Sequence, residues 1–198
     1  MTEKDSIRAR IIEAAKARFY HYGFGKTTMA ELACDCSMSP GNIYRYFAGK
    51  LDIAEEIALE VTESSMARLR AVAERTTVGP PERLCAFLRE ELHLTFALLH
   101  DNPKLHELAE IIKTERVDFV NQELRELRRI MGRILADGMQ QGVFRKLDVD
   151  ATAEAIQSAT WKFHYPQLFT RLPLDALERE LEAVMSLIVA GLTPTTQQ

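Results

Sequence analysis

The sequence predicts an all-α protein: an N-terminal three-helix helix-turn-helix head, then a C-terminal body of roughly six helices. Three observations carry that reading. Apolar residues recur three and four apart along most of the 198 residues, and no segment keeps the period of two that a half-buried strand needs. Helix starts are written as capping residues ahead of Pro or Glu, at Thr28-Met-Ala-Glu31 and Ser39-Pro40. Breaks at Gly23 and Gly25, Gly79-Pro80-Pro81, Asp101-Asn102-Pro103, Gly142 and Pro173 cut the chain into helix-length pieces.

Each element has its own justification. Asp5 or Ser6 can cap a first helix whose apolar positions Ile7, Ile11, Ala14, Ala15, Phe19 and Tyr22 follow the helical period, and Gly23 and Gly25 end it. Two short helices follow at about 28–35 and 39–46. A long fourth helix runs from Leu51 to about Arg75. Pro80 or Pro81 opens a helix to about residue 100, apolar on more than one face and so expected in the interior. A short helix covers about 103–111, and a long one about 114–141 carries Val120, Leu124, Leu127, Met131, Ile134 and Gly138. Asp148 or Asp150 starts a helix expected over 149–168, which Pro166 should kink because it cannot donate to the Lys162 carbonyl. The last helix shows Leu174, Leu177, Leu181, Val184, Ile188 and Gly191, a seam suited to helix-on-helix packing. Residues 193–198 read as a disordered polar tail.

The stretch from Thr28 to Lys50 is the most specific. A short helix, a three-residue turn and a short polar-aromatic helix form the layout in which the second helix enters the major groove of DNA. Charge fits. Residues 1–50 hold eight Lys/Arg against five Asp/Glu, whereas the rest holds 17 against 24. A basic head on an acidic body suits a protein offering one end to phosphates, and the net charge of -4 argues against general coating of nucleic acid.

Other classes fit poorly. There is no glycine-rich phosphate loop, no spaced nucleophile and base, and no paired carboxylate-histidine motif, so no enzyme and no cofactor is expected. The longest apolar stretch, Leu181 to Leu192, includes Glu182 and Ser186 and falls short of the roughly 20 residues of a span. With no leader at Met1-Thr-Glu-Lys-Asp5, three cysteines imply a cytoplasmic chain with reduced thiols, and Cys34-x-Cys36 reads as small apolar packing rather than a metal pair.

Residues 7–51 resemble the TetR family of bacterial transcriptional regulators. The likeness rests on the amphipathic first helix, Tyr22-Gly23-Phe24, Thr27-Thr28, Leu32-Ala33, Ile43-Tyr44-x-Tyr46-Phe47 and Lys50. The turn departs from the family's usual Ala-Gly-Val, reading Cys36-Ser37-Met38, so some strain is expected at Ser37. The resemblance implies that Thr27 and Thr28 sit at a helix N-terminus near phosphate. It places Ser39, Pro40, Gly41 and Asn42 at the start of the recognition helix, Tyr44 and Tyr46 on the sugar-phosphate backbone, and Lys50 on a phosphate. Asn42 and Arg45 have the chemistry to read base edges, though Arg45 could equally point back to the protein.

The body invites a second site. His93, Phe96, His100, His106, Trp161 and His164 are the candidate effector-lining residues, with His106, Glu110 and His164 as a minor metal alternative. The domains are expected at 1–50 for DNA binding and 51–198 for effector binding and dimerisation. Ile156, Leu174, Leu177, Leu181, Val184 and Ile188 should form the dimer seam, having no other obvious partner. The expected function is a homodimeric repressor on a palindromic operator of double-stranded DNA, released by a small apolar or amphipathic effector, with no membrane partner. The alternative is a DNA-binding protein of the same fold with a structural or protein-partner role and no inducer.

Overall fold

The protein is all-helical, as the periodicity predicts. The computed structural model describes residues 2–100 and 102–194, without the side chains of residues 168 and 169. The helices are α1 (Glu3–Tyr22), α2 (Met29–Asp35), α3 (Pro40–Ile43), α4 (Lys50–Ala73), α5 (Pro80–Leu99), α6 (Pro103–Glu115), α7 (Val117–Gln140), α8 (Val149–Ala159), α9 (Trp161–His164), α10 (Pro166–Phe169) and α11 (Leu174–Leu192). No described helix is long and apolar enough to cross a membrane.

The chain forms two compact units, residues 1–63 with 101–121, and residues 64–100 with 122–198. The boundary expected at residue 50 does not follow this packing. In the first unit α1 starts earlier than Asp5 or Ser6, because Thr2 makes its own capping box with Asp5. Its core joins Ile11, Ala15 and Phe19 to Leu32, Ala33, Ile43 and Ile53, and α6 adds Leu108 and Ile112. Two glycines let α6 approach. A Cβ on Gly23 would lie 3.0 Å from Glu107 Oε2, and the Gly25 N–H donates to Glu107 Oε1 at 3.3 Å. Arg116, where α6 ends, pairs with Asp52 at 2.7 Å and Glu55 at 2.6 Å on α4. Segment 101–121, assigned by sequence to the body, therefore packs with the head.

In the second unit α5 is interior, burying Leu84, Phe87, Leu88 and Leu92. Arg83 is buried with them, and its Nη1 donates to the Ala73 carbonyl and to Asp137 Oδ2, each at 3.0 Å. It closes the last turn of α4 and ties that end to α7. Gly138 on α7 is required by close approach: a Cβ there would sit 2.1 Å from Phe144 Cδ2.

The helix expected over 149–168 is three pieces. The Thr160 hydroxyl donates to the Ile156 carbonyl at 2.9 Å where α8 stops, and Tyr165 (φ -135, ψ 67) breaks the chain before Pro166. A larger correction concerns the dimer seam. Ile156, Leu177 and Leu181 are buried in the chain's own core, and Leu174, Val184 and Ile188 pack against the same core. The seam has a partner after all, since α5 runs beside α11, with Arg89 and His93 pairing to Glu182 and Glu178. What α11 leaves outside is the charged set Asp175, Arg179, Glu180 and Glu182 and, toward its C-terminal half, Ala183, Ser186, Leu187, Ala190 and Gly191. Of the expected disordered tail, residues 195–198 lie outside the described residues, and the Thr193 N–H still donates to the Val189 carbonyl.

Candidate nucleic-acid interface

The reading unit is set by local bonds that the sequence encodes. Thr28 Oγ1 accepts the Glu31 N–H at 3.2 Å, while Glu31 Oε2 accepts the Thr28 N–H and hydroxyl at 2.8 Å each. The Thr28 hydroxyl holds the Glu31 carboxyl below the usual range, with the backbone N–H adding to it. Arg18 on α1 pairs with Asp35 and with Glu31, so α2 is latched at both ends. The turn into α3 returns the Met38 N–H to the Ala33 carbonyl at 2.8 Å. That return needs φ 53 at Ser37, in the left-handed region where a side chain costs about 1–2 kcal/mol. The strain expected from the departure at this turn falls on that residue.

Helix α3 is shorter than the expected 39–46. Four residues are helical and Tyr44 to Tyr46 continue as a turn. Ile43 and Phe47 are buried and hold the segment to the core. Ser39 caps α3 without a side-chain bond, and a Cβ on Gly41 would meet nothing within 4 Å. Ser39, Pro40, Gly41 and Arg45 are exposed, Asn42 and Tyr46 half-buried, and Tyr44 is 53% exposed. These residues lie along one short segment of the head, on either side of buried Ile43.

Two expected phosphate contacts are placed otherwise. Thr27 is 1% exposed, and its hydroxyl donates inward to the Gly23 carbonyl at 3.0 Å. Lys50 donates to the carbonyls of Phe24 at 2.7 Å and Thr27 at 2.9 Å, with its Nζ 4.3 Å from the centre of the Phe24 ring. Burial pushes its ammonium below the usual lysine range. Both residues brace the 23–27 turn that presents Thr28. The partners are main-chain carbonyls and one ring, which residue spacing does not reveal.

Sequence reasoning also missed Arg8. It donates to the Tyr46 carbonyl at 2.6 Å, pairs with Glu56 on α4, and lies 4.2 Å from the Phe47 ring centre. It clamps the end of the reading segment. Of the eight cations in residues 1–50, Arg8, Lys16, Arg18 and Lys50 bond within the protein. Lys4, Arg10, Lys26 and Arg45 are exposed, with no ion pair or hydrogen bond among the described residues. Lys26, two residues before the Thr28 cap, was visible only as part of a charge count.

The candidates in the body are not brought together as a set. His93 Nε2 lies 2.6 Å from Glu178 Oε1, Phe96 stacks on His100 at 4.3 Å, and Trp161 and His164 are 5.4 Å apart. All five belong to the second unit, whereas His106 and Glu110 lie on α6 in the first. The metal alternative of His106, Glu110 and His164 thus has its members in different units. Among the described residues no group of three or more His, Cys, Asp or Glu could hold an ion.

Comparison with known proteins agrees with this head. Residues 11–57 match the family described as bacterial regulatory proteins, tetR family, and residues 80–185 match the tetracyclin repressor-like C-terminal domain. The transcriptional repressor KstR2 of Mycobacterium tuberculosis is 26% identical over 163 residues, covering 79% of each chain. The regulator UidR of Escherichia coli is 34% identical over 73 residues, 37% of each chain. A TetR-family regulator of Mesorhizobium loti shares the fold with TM-score 0.75 at 17% identity, over 98% of this chain and 100% of the other. With its head and most of its body matched in this way, the chain belongs to the TetR family of bacterial DNA-binding transcriptional regulators.

Proposed function

We propose that the protein is a repressor that binds a two-fold symmetric operator as a homodimer and leaves it when a small apolar or amphipathic effector enters the body. The observation that carries the DNA-binding half is the open surface around α3. Ser39, Gly41, Asn42, Tyr44 and Arg45 are exposed or half-exposed there, and among the described residues no bond uses the Ser39 hydroxyl or the Arg45 guanidinium. Such a surface fits a groove: Asn42 and Arg45 have the donors for base edges, Tyr44 and Ser39 suit sugar and phosphate, and exposed Lys26 adds charge just before the Thr28 cap. KstR2 and UidR, a repressor and a regulator by name, support regulation as the role.

Release follows from a two-state equilibrium. An effector shifts it only by binding one state better than the other, and α4 is the element through which the head responds. Its first turns are held by ion pairs from Arg8, Lys16 and Arg116 to Glu56, Glu60, Asp52 and Glu55. Partly exposed pairs of this kind are individually weak and exchange partners at little cost.

The test is a gel shift with DNA from upstream of the protein's own gene. Wild type should give a discrete complex, and Asn42→Ala should lose about 1–3 kcal/mol of discrimination at one or two base positions while keeping non-specific affinity. Unchanged base preference in Asn42→Ala would remove that residue from the reading surface.

A further inference from the structure

Residues Phe24 to Thr27 form a β-turn, closed by the Thr27 N–H donating to the Phe24 carbonyl at 3.3 Å. Gly25 and Lys26 are its two central residues, and both are exposed. The base of the turn is held from within the head. The Thr27 hydroxyl donates to the Gly23 carbonyl, and Lys50 Nζ donates to the carbonyls of Phe24 and Thr27.

The tip is held from a distant helix of the same unit. A β-turn gives the N–H of its second residue no partner, and here the Gly25 N–H donates to Glu107 Oε1 on α6, 82 residues away. The position of Glu107 is itself fixed, because Leu108 beside it and Ile112 are buried in the core with Ile11 and Phe19. Gly23 clears the way: at φ 93 it carries no Cβ, and one built there would lie 3.0 Å from Glu107 Oε2 and 3.1 Å from Lys104 Cδ. Burial lowers the pKa of the Lys50 ammonium, and the charge of Glu107 acts against that shift. One carboxylate thus bears on both the tip and the base of the turn.

Lys26 is the exposed cation that this turn carries. A long side chain on a wandering tip gives up more freedom in reaching a phosphate than one on a fixed tip. We propose that Glu107 is a positioning residue for DNA binding: it fixes the tip of the 24–27 turn so that Lys26 meets a backbone phosphate. Glu107 acts through Gly25 and does not itself touch DNA. The inference rests on the DNA-binding reading of the preceding section. It extends the DNA-binding machinery to a helix outside the matched 11–57 segment and inside the matched 80–185 segment.

The sign of the effect makes the test sharp. Removing an acid from a DNA-binding head, by charge alone, tightens binding. Positioning demands the reverse. Anisotropy titrations of the full-length protein on duplex DNA from upstream of its own gene, at several salt concentrations, compare Glu107→Ala, Glu107→Asp, Glu107→Gln, Lys26→Ala and the Lys26→Ala/Glu107→Ala double. Glu107→Ala should weaken binding about tenfold at ~0.1 M salt and lower the salt slope by about one unit, as Lys26→Ala does. The double should be no worse than either single variant. Glu107→Asp keeps the charge but falls one methylene short of Gly25, so it should behave like Glu107→Ala, and it keeps the test open should Glu107→Ala not fold. Glu107→Gln retains an oxygen that accepts the Gly25 N–H and should restore most of the affinity and slope. Without DNA, the Gly25 amide should exchange faster in Glu107→Ala and Glu107→Asp than in wild type or Glu107→Gln. Tighter binding by Glu107→Ala, an unchanged slope, or additive losses in the double would overturn the assignment. An unchanged slope in Lys26→Ala overturns it too, while leaving DNA binding in place. Failure of the wild type to bind the duplex counts against the DNA-binding reading and takes the positioning role with it.

Discussion

Lys50 uses its charge inside the head, and that changes which residues should answer to salt. Its ammonium donates to two carbonyls of the turn before α2, so removing it loosens the turn rather than freeing a phosphate. Lys26 has no such bond among the described residues, and it is exposed two residues before the Thr28 cap. Each phosphate neutralised on duplex DNA contributes about 0.9 to the slope of log affinity against log salt. Lys26→Ala should therefore lower that slope by about one unit at any DNA sequence. Lys50→Ala should weaken binding at an unchanged slope and also lower the melting temperature. Filter-binding titrations from low to moderate salt decide it. A reduced slope in Lys50→Ala with no loss of stability would return Lys50 to the phosphate.

Elements fixed by neighbours in sequence were legible; those fixed by distant partners were not. The Thr28-to-Glu31 capping box and the Ser39-Pro40 start are local, and the structure has helices beginning at both. Pro166 announced the interruption after α9, whereas the earlier stop at Thr160 depends on one hydroxyl reaching back a turn. The packing of α6 on the head was not foreseen, because nothing near Leu108 or Ile112 in sequence says that they pack beside Ile11 and Phe19. The α11 seam was read correctly as apolar and wrongly as free, since its partner α5 lies about 90 residues away. In the candidate interface, Asn42 and Arg45 were nominated by residue type alone, and the internal bonds of Thr27, Lys50 and Arg8 involve carbonyls that no motif marks.

The same dependence on distant partners gives α7 a testable pH response. Glu126 accepts from Arg129 one turn on and from Arg70 on α4, and these bonds, Arg129 first, hold its carboxyl at about 2. The folded value lies below the unfolded one. The bonds therefore stabilise fully above about pH 4.5, and that contribution disappears as pH falls toward 2. Both arginines are more than a third exposed, so screening limits the effect to about 1 kcal/mol. Urea titrations of Glu126→Gln should show that deficit at pH 7 and a shrinking one between pH 4.5 and 2. A deficit independent of pH would mean that Glu126 contributes packing rather than charge.

At the scale of the whole molecule, a two-fold dimer needs a self-complementary surface, and the monomer's own packing limits where that surface lies. Ile156, Leu177 and Leu181 are excluded, being buried already. The outward faces of α8 and α11 remain, with exposed Ala151, Ala155 and Ser158 on one and Ala183, Leu187, Ala190 and Gly191 on the other. Small residues let helix axes approach closely, and Leu187, 76% exposed, is a large apolar side chain with no cover in the monomer. Two such helices from each subunit make a four-helix contact of the kind the proposed dimer requires. Leu187→Glu and Leu181→Glu should then fail differently. A charge at Leu181 falls in the core and should cost several kcal/mol of folding, seen as lost helicity. A charge at Leu187 should leave the helical spectrum intact, yield monomers in sedimentation, and weaken operator binding about 100-fold or more, because the second half-site is no longer tethered to the first. If Leu187→Glu sediments as a dimer at low micromolar concentration, the outward face of α11 is not the interface, and the two heads must be held together by another surface.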